Sequence, residues 1–77
     1  MKLAAWRKQE GLSQDELATA LDTTQGYVSR IERPARAKDF RMPGLRMMID
    51  IFRRTRGAVT PNDFYDLPKL DAERDAA

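Results

Sequence analysis

The chain has no cysteine and no histidine. The first absence excludes a disulfide staple and a thiolate metal site. The second removes the commonest general base and the commonest metal ligand. No apolar run approaches the roughly 20 residues of a membrane span. The opening stretch MKLAAWRKQEG turns polar after six residues, too early for the apolar region of a secretory leader, so a cytoplasmic protein with no membrane association is the expectation. Internal repeats and low-complexity tracts are also missing. What remains is 77 residues, enough for one small domain near the lower limit for folding without a staple. Such a domain needs tight helix packing, a partner chain, or both.

Charge is present but unevenly placed. Residues 1–56 carry 12 Lys/Arg against 7 Asp/Glu, a balance of +5, whereas residues 57–77 carry 2 against 5, a balance of −3. The most basic block is residues 30–56, with 9 cations, 3 acids and a balance of +6. A block of that sign suits a polyanionic partner. A solvated face would carry the same charge, so the choice between them rests on geometry.

The periodicity predicts an all-α domain of five helices and no strand. Leu3 and Trp6 share one side of a first helix that Gly11 stops. Ser13-Gln14-Asp15-Glu16 is a capping box that opens a second helix, with Leu17, Ala18 and Leu21 as its apolar stripe. After a turn at Asp22-Thr23, Thr24 caps a third helix. Only Val28 and Ile31 give that helix an apolar strip; Gly26, Ser29, Arg30 and Arg33 lie opposite, with Gln25 and Tyr27 on the flanks. Gly26 costs roughly 1 kcal/mol against alanine inside a helix. Close backbone approach to a partner accounts for it, and so does tolerance near a helix start.

Pro34 ends the third helix, and a basic loop with one aromatic, Phe40, follows. A fourth helix is expected from Pro43, with Leu45, Met48, Ile49 and Phe52 facing the core and Gly57 as the stop. The expected core is Trp6, Leu12, Leu17, Leu21, Val28, Ile31, Leu45, Met48, Ile49 and Phe52. Thr60 and Pro61 start a fifth helix of one or two turns before Pro68. The domain is placed at residues 1–70, with a frayed tail over 71–77.

Two capped helices joined by a turn of about three residues, the second with a bare polar face, have the form of a helix-turn-helix over residues 13–33. The stretch GLSQDELATALDTTQGYVSRIER resembles the Cro/C1 (XRE) class of bacterial and phage transcription regulators, through Gly11-Leu12-Ser13-Gln14, Glu16-Leu17-Ala18, Leu21, Val28-Ser29 and Ile31-Glu32. The stretch TRGAVTPNDFYD is similar to the end of small Cro- or YdaS-like phage and prophage regulators. Two departures stand out: Asp22 replaces the usual glycine of the turn, and the loop from Pro34 to Met42 is longer than the family's short connection.

The resemblance implies a compact lambda-repressor-like fold and a sequence-specific regulator, in the leading reading a repressor dimer on a palindromic operator of double-stranded DNA. It places Gln25, Gly26, Tyr27, Ser29 and Arg30 against base edges, with glutamine suited to adenine and arginine to guanine. Tyr27 is equally suited to covering the edge of the core. Gln14, Thr24, Arg33, Arg36, Lys38 and Arg41 are the phosphate candidates. Arg7 and Glu32 are implied as a partly buried structural pair rather than a DNA contact. Phe64, Tyr65, Leu67 and Leu70 suggest a homodimer contact, or a lid that buries Phe64 and Leu67 in the monomer. Asp15 and Glu16 are placed to touch RNA polymerase, which keeps activation open. The alternative function is an antitoxin-type module that neutralises a partner and autoregulates its promoter. No cofactor, metal or small-molecule ligand is expected, nor an enzymatic activity, and the cell compartment is the nucleoid-bearing cytoplasm.

Overall fold

The computed structural model describes residues 1–65. It contains α1 (Leu3–Gln9), α2 (Gln14–Ala20), α3 (Gln25–Ile31), α4 (Leu45–Arg54) and a final 3-10 turn over Pro61–Phe64. There is no strand among the described residues. The all-α class therefore holds, but the helix count is corrected: four α-helices, with the expected fifth reduced to one tight turn. Its brevity has a local cause. Thr60 and Asp63 form a capping box around Pro61, and Tyr65 already has extended backbone (φ −99, ψ 142), so only four residues are helical. None of the described helices is long and apolar enough to cross a membrane.

Caps set the helix boundaries. Ser13 accepts from the Glu16 N–H at 3.0 Å while the Glu16 carboxylate accepts from the Ser13 N–H at 2.9 Å, so α2 starts with two satisfied donors. At its other end the Asp22 N–H reaches Thr19 O (3.2 Å) and the Thr23 N–H reaches Ala18 O (2.9 Å). This is a Schellman closure, and it requires a left-handed residue, which Asp22 supplies at φ 55. Aspartate tolerates that conformation better than most residues, so the turn keeps its geometry without the family's glycine. Thr24 then caps α3 by accepting from the Tyr27 N–H at 3.1 Å.

The buried core is Leu3, Leu17, Ala18, Leu21, Val28, Ile31, Ile51, Val59 and Phe64. It is centred on the packing of α2 against α3, where the small Ala18 side chain is buried and lets the helices approach. Trp6, Tyr27, Phe40, Met47 and Met48 cover its edges, and Leu12 is half-buried. Thr55 is buried with its hydroxyl satisfied: it donates to Phe52 O and accepts from the Val59 N–H at 3.1 Å.

Two expectations for α4 are corrected. The helix starts at Leu45 behind an extended Gly44 N-cap (φ −72, ψ 174), not at Pro43. Pro43 is buried just before the cap, so its ring is used as a plug rather than as the first helical residue. The second correction concerns the face. Leu45 (76% exposed), Ile49 (43%) and Phe52 (47%) lie outside the core, and Ile51 and Thr55 take the inward positions. Ile51 and Thr55, an i, i+4 pair, are buried, and Val59 joins them from the segment past the helix end.

Candidate nucleic-acid interface

The outer face of α3 is open. Gln25, Gly26 and Arg30 are exposed, and Tyr27 and Ser29 are half-buried. Tyr27 packs against the core edge, so its ring is part of the platform that carries the helix. Gly26 has open space around it: a Cβ built there meets nothing within 4 Å. Packing inside the protein therefore gives no reason for a glycine at that position.

Behind this face runs a hydrogen-bonded chain with a defined direction. Arg7 donates to Glu32 twice, from Nε to Oε2 at 2.7 Å and from Nη2 to Oε1 at 3.1 Å, and from Nη1 to Leu12 O at 2.9 Å. The side chains of the pair are 12% and 6% exposed. The hydrogen bond to Glu32 pushes the Arg7 guanidinium up from its ordinary value, against the opposing effect of burial. Gln14 Nε2 then donates to Glu32 Oε1 at 2.9 Å, and Gln14 Oε1 accepts from Gln25 Nε2 at 2.6 Å.

The polarity follows from the acid at its base. An ionised carboxylate only accepts, so Gln14 must turn its amide N–H towards Glu32 and its carbonyl towards Gln25. Gln25 must then donate to Gln14. Its own carbonyl and second N–H remain for a partner outside the protein. An acceptor beside a donor matches the N6/N7 edge of adenine.

The loop after α3 folds back onto the helix end. Ala37 N–H bonds Pro34 O at 2.9 Å, Phe40 N–H bonds Ala37 O at 3.1 Å, and Arg41 N–H returns to Arg30 O at 3.2 Å. Phe40 anchors the loop on the core. This brings Arg33, Arg36, Lys38 and Arg41, all exposed, to the C-terminal end of α3. Arg33 is engaged there by Asp39, with Nε 3.0 Å from Oδ1. That hydrogen bond is the largest of the effects holding the Asp39 carboxyl below its ordinary range, and the charges of Arg33 and Arg30 add to it. Asp39 therefore sits among the cations as an internal anion.

The remaining site residues fall as follows. Gln14 is half-buried; one N–H donates to Glu32 and its carbonyl accepts from Gln25, which leaves its second N–H for a phosphate. The Thr24 hydroxyl oxygen is occupied as the α3 cap. Of the two expectations for Phe64, a contact between copies is corrected and burial in the monomer holds: it is 5% exposed, whereas Tyr65 stays exposed. The burial of Phe64 follows from the 3-10 turn, which the capping box of Thr60 and Asp63 closes, and it joins the core cluster that also holds Leu3 and Val59. Leu67 and Leu70 lie outside the described residues, as does the tail 71–77. Sequence reasoning missed the part Glu32 plays in orienting Gln14 and the grip of Asp39 on Arg33. Nothing periodic relates residues 14 and 32, whereas an acid six residues past Arg33 in a basic loop was a visible signal.

A family model described as helix-turn-helix matches residues 3–53. That span runs from the start of α1 almost to the end of α4. No curated protein and no solved structure gave a match.

Proposed function

Because the chain belongs to the Cro/C1-type helix-turn-helix family, a family of DNA-binding transcription regulators, we propose that it acts as a repressor, binding as a dimer to a palindromic operator with α3 of each copy in the major groove. The outer face of α3 carries the reading. It presents Gln25, oriented through Gln14 and Glu32, with Arg30 exposed one and a half turns further on. Gln25 reads adenine and Arg30 grips guanine O6/N7. Gly26 lets the helix backbone come close to the base edges, and Ser29 reaches a base edge or a phosphate. Lys38, Arg36 and Arg41 meet phosphates beside the groove, and Arg33 joins them by exchanging Asp39 for a phosphate oxygen. Blocking polymerase requires nothing more than occupancy of the promoter, and abundance of the protein then sets the response.

Binding selection from random duplex DNA at near-physiological salt tests this directly. An enriched palindrome with half-sites about one helical turn apart is the expected result. On that site Arg30→Ala costs about 1–3 kcal/mol and relaxes one base position, whereas Lys38→Ala weakens all duplexes alike and lowers the salt slope by about one unit. No enrichment from the random pool would overturn the proposal. Unchanged base preference in Arg30→Ala would overturn the docking of α3.

A further inference from the structure

Leu45, Ile49 and Phe52 stand at i, i+4 and i+7 on α4 and are 76%, 43% and 47% exposed, with Met42 exposed just upstream. At 100° per residue the three fall within about 60° of each other and point roughly 100° away from the inward pair Ile51 and Thr55. A single exposed leucine needs no explanation, but a contiguous apolar strip on a domain this small does. The Phe52 ring lies beside the turn that follows α4, 3.6 Å from where a Cβ on Gly57 would stand.

We infer that this strip is the surface through which two copies of the chain pair, α4 against α4 in antiparallel sense about a two-fold axis near Met48 and Ile49. The inference deepens the dimeric reading proposed above by naming its interface. Two features favour a second copy as the occupant. The strip is self-complementary: an axis between residues 48 and 49 sets Leu45 against Phe52 of the partner subunit and brings the two copies of Ile49 side by side, the isologous contact of a two-fold dimer. Its charged border is complementary as well. Asp50 and Arg46 lie on the same side of the strip, and antiparallel pairing carries Asp50 alongside Arg46 of the partner subunit, twice by symmetry. Arg53, on the same border, falls opposite Gly44 of the partner subunit, which carries no side chain. Among the described residues Asp50 is held by Arg54 at 3.2 Å, an exposed i, i+4 pair that exchanges readily.

Size sets the strength of the contact. A stable dimer buries about 800 Å² on each partner. A ten-residue helix about 15 Å long supplies less than that. The free protein is thus a weak dimer that becomes a firm one when two half-sites hold the copies at millimolar effective concentration.

The chain has no cysteine, so single-cysteine variants report the contact without background. Under a mild oxidant and without DNA, the full chain carrying Ile49→Cys is expected to cross-link into dimers far faster than one carrying Glu10→Cys, an exposed control on α1. In sedimentation equilibrium from about 10 to several hundred micromolar, the unmodified chain shifts towards dimer with concentration, and Ile49→Asp stays monomeric with an unchanged circular dichroism spectrum. Equal cross-linking of the two cysteine variants overturns the inference, as does a monomer at every concentration, or a dimer indifferent to Ile49→Asp. Binding to an isolated half-site is measured alongside. Its loss in the unmodified chain would instead count against the DNA-binding reading, so the two failures are distinct.

Discussion

Replacing Arg7 with alanine removes three hydrogen bonds at once, two to Glu32 and one to the Leu12 carbonyl. Glu32 is then a buried carboxylate, 6% exposed, with one remaining donor, Gln14. Breaking one partner of a buried pair costs about 3–5 kcal/mol, because the survivor keeps its desolvation penalty and loses its compensation. The Gln14 N–H still partly compensates, which puts the expected loss at the lower end, about 3 kcal/mol. A domain of this length has roughly 4–12 kcal/mol in total. With a urea slope of about 1 kcal/mol per molar, the midpoint should fall by about 3 M, read by far-ultraviolet circular dichroism at pH 7. A loss below about 1 kcal/mol would refute the reasoning, since that is the range of exposed ion pairs.

The same site separates stability from recognition. Arg7→Met combined with Glu32→Leu replaces the pair by apolar side chains of similar volume, and such replacements are often neutral or stabilising. The double variant should recover most of what Arg7→Ala loses. Gln14, however, then has no acid to turn its amide, and Gln25 is no longer held with its carbonyl outward. The recovered protein is expected to bind DNA with relaxed preference at the base Gln25 reads. Full recovery of both stability and base preference would show that the Glu32–Gln14–Gln25 chain does not orient the reading residue.

Gly26→Ala should raise stability by up to about 1 kcal/mol, read as an upward shift of the urea midpoint, because the helix gains propensity and the new methyl meets nothing within 4 Å. The same change should weaken binding to the selected operator, as a methyl keeps the backbone off the base edges; equal or tighter binding would remove Gly26 from the interface. Acid sensitivity follows from Asp63. Burial raises its pKa, but hydrogen bonds from the Thr60 backbone and from the Met1 amino group outweigh this, and the carboxyl is held below its ordinary value. A depressed folded-state pKa means the unfolded chain binds more protons, so this stability is complete above about pH 4 and is lost as pH falls through the folded value. In thermal melts between pH 2 and 7, Asp63→Asn should lower the neutral plateau and flatten the acid limb, and an unchanged acid limb would assign the sensitivity elsewhere. Glu16, lowered by its capping-box hydrogen bonds with Ser13, and Asp39, lowered chiefly by Arg33, act in the same direction but are exposed.

The helix-turn-helix was legible because its signals are local. Ser13 with Glu16, Thr24, and the pairs Leu17/Leu21 and Val28/Ile31 each state a helix start or a buried face within a few residues. The face of α3 that holds Gln25 and Arg30 was readable in the same way, as what remained after Val28 and Ile31 were turned inward. The Arg7–Glu32–Gln14–Gln25 chain was not readable as a unit, since it joins α1, the end of α3, the start of α2 and the start of α3 through tertiary contacts alone.

The misread face of α4 has a more instructive cause. The helix carries two apolar stripes, one through Leu45, Ile49 and Phe52 and another through Ile51 that continues as Thr55 and Val59 beyond the helix. Counting apolar residues within the helix favours the first stripe, because the second contains a threonine and runs past the C-cap. The domain nevertheless buries the second. Thr55 meets the requirement that buried polar groups be bonded by donating to Phe52 O and accepting from Val59, so its hydroxyl is no obstacle. Closure at the left-handed Arg56 and Gly57 then carries Val59 into the core and leads on to Phe64. The inward side of α4 is thus Ile51 with the partly buried Met47 and Met48, extended by Thr55 and Val59 from the segment that follows. Leu45, Ile49 and Phe52 stay outside as a result, and they form the surface assigned above to the proposed pairing of two copies.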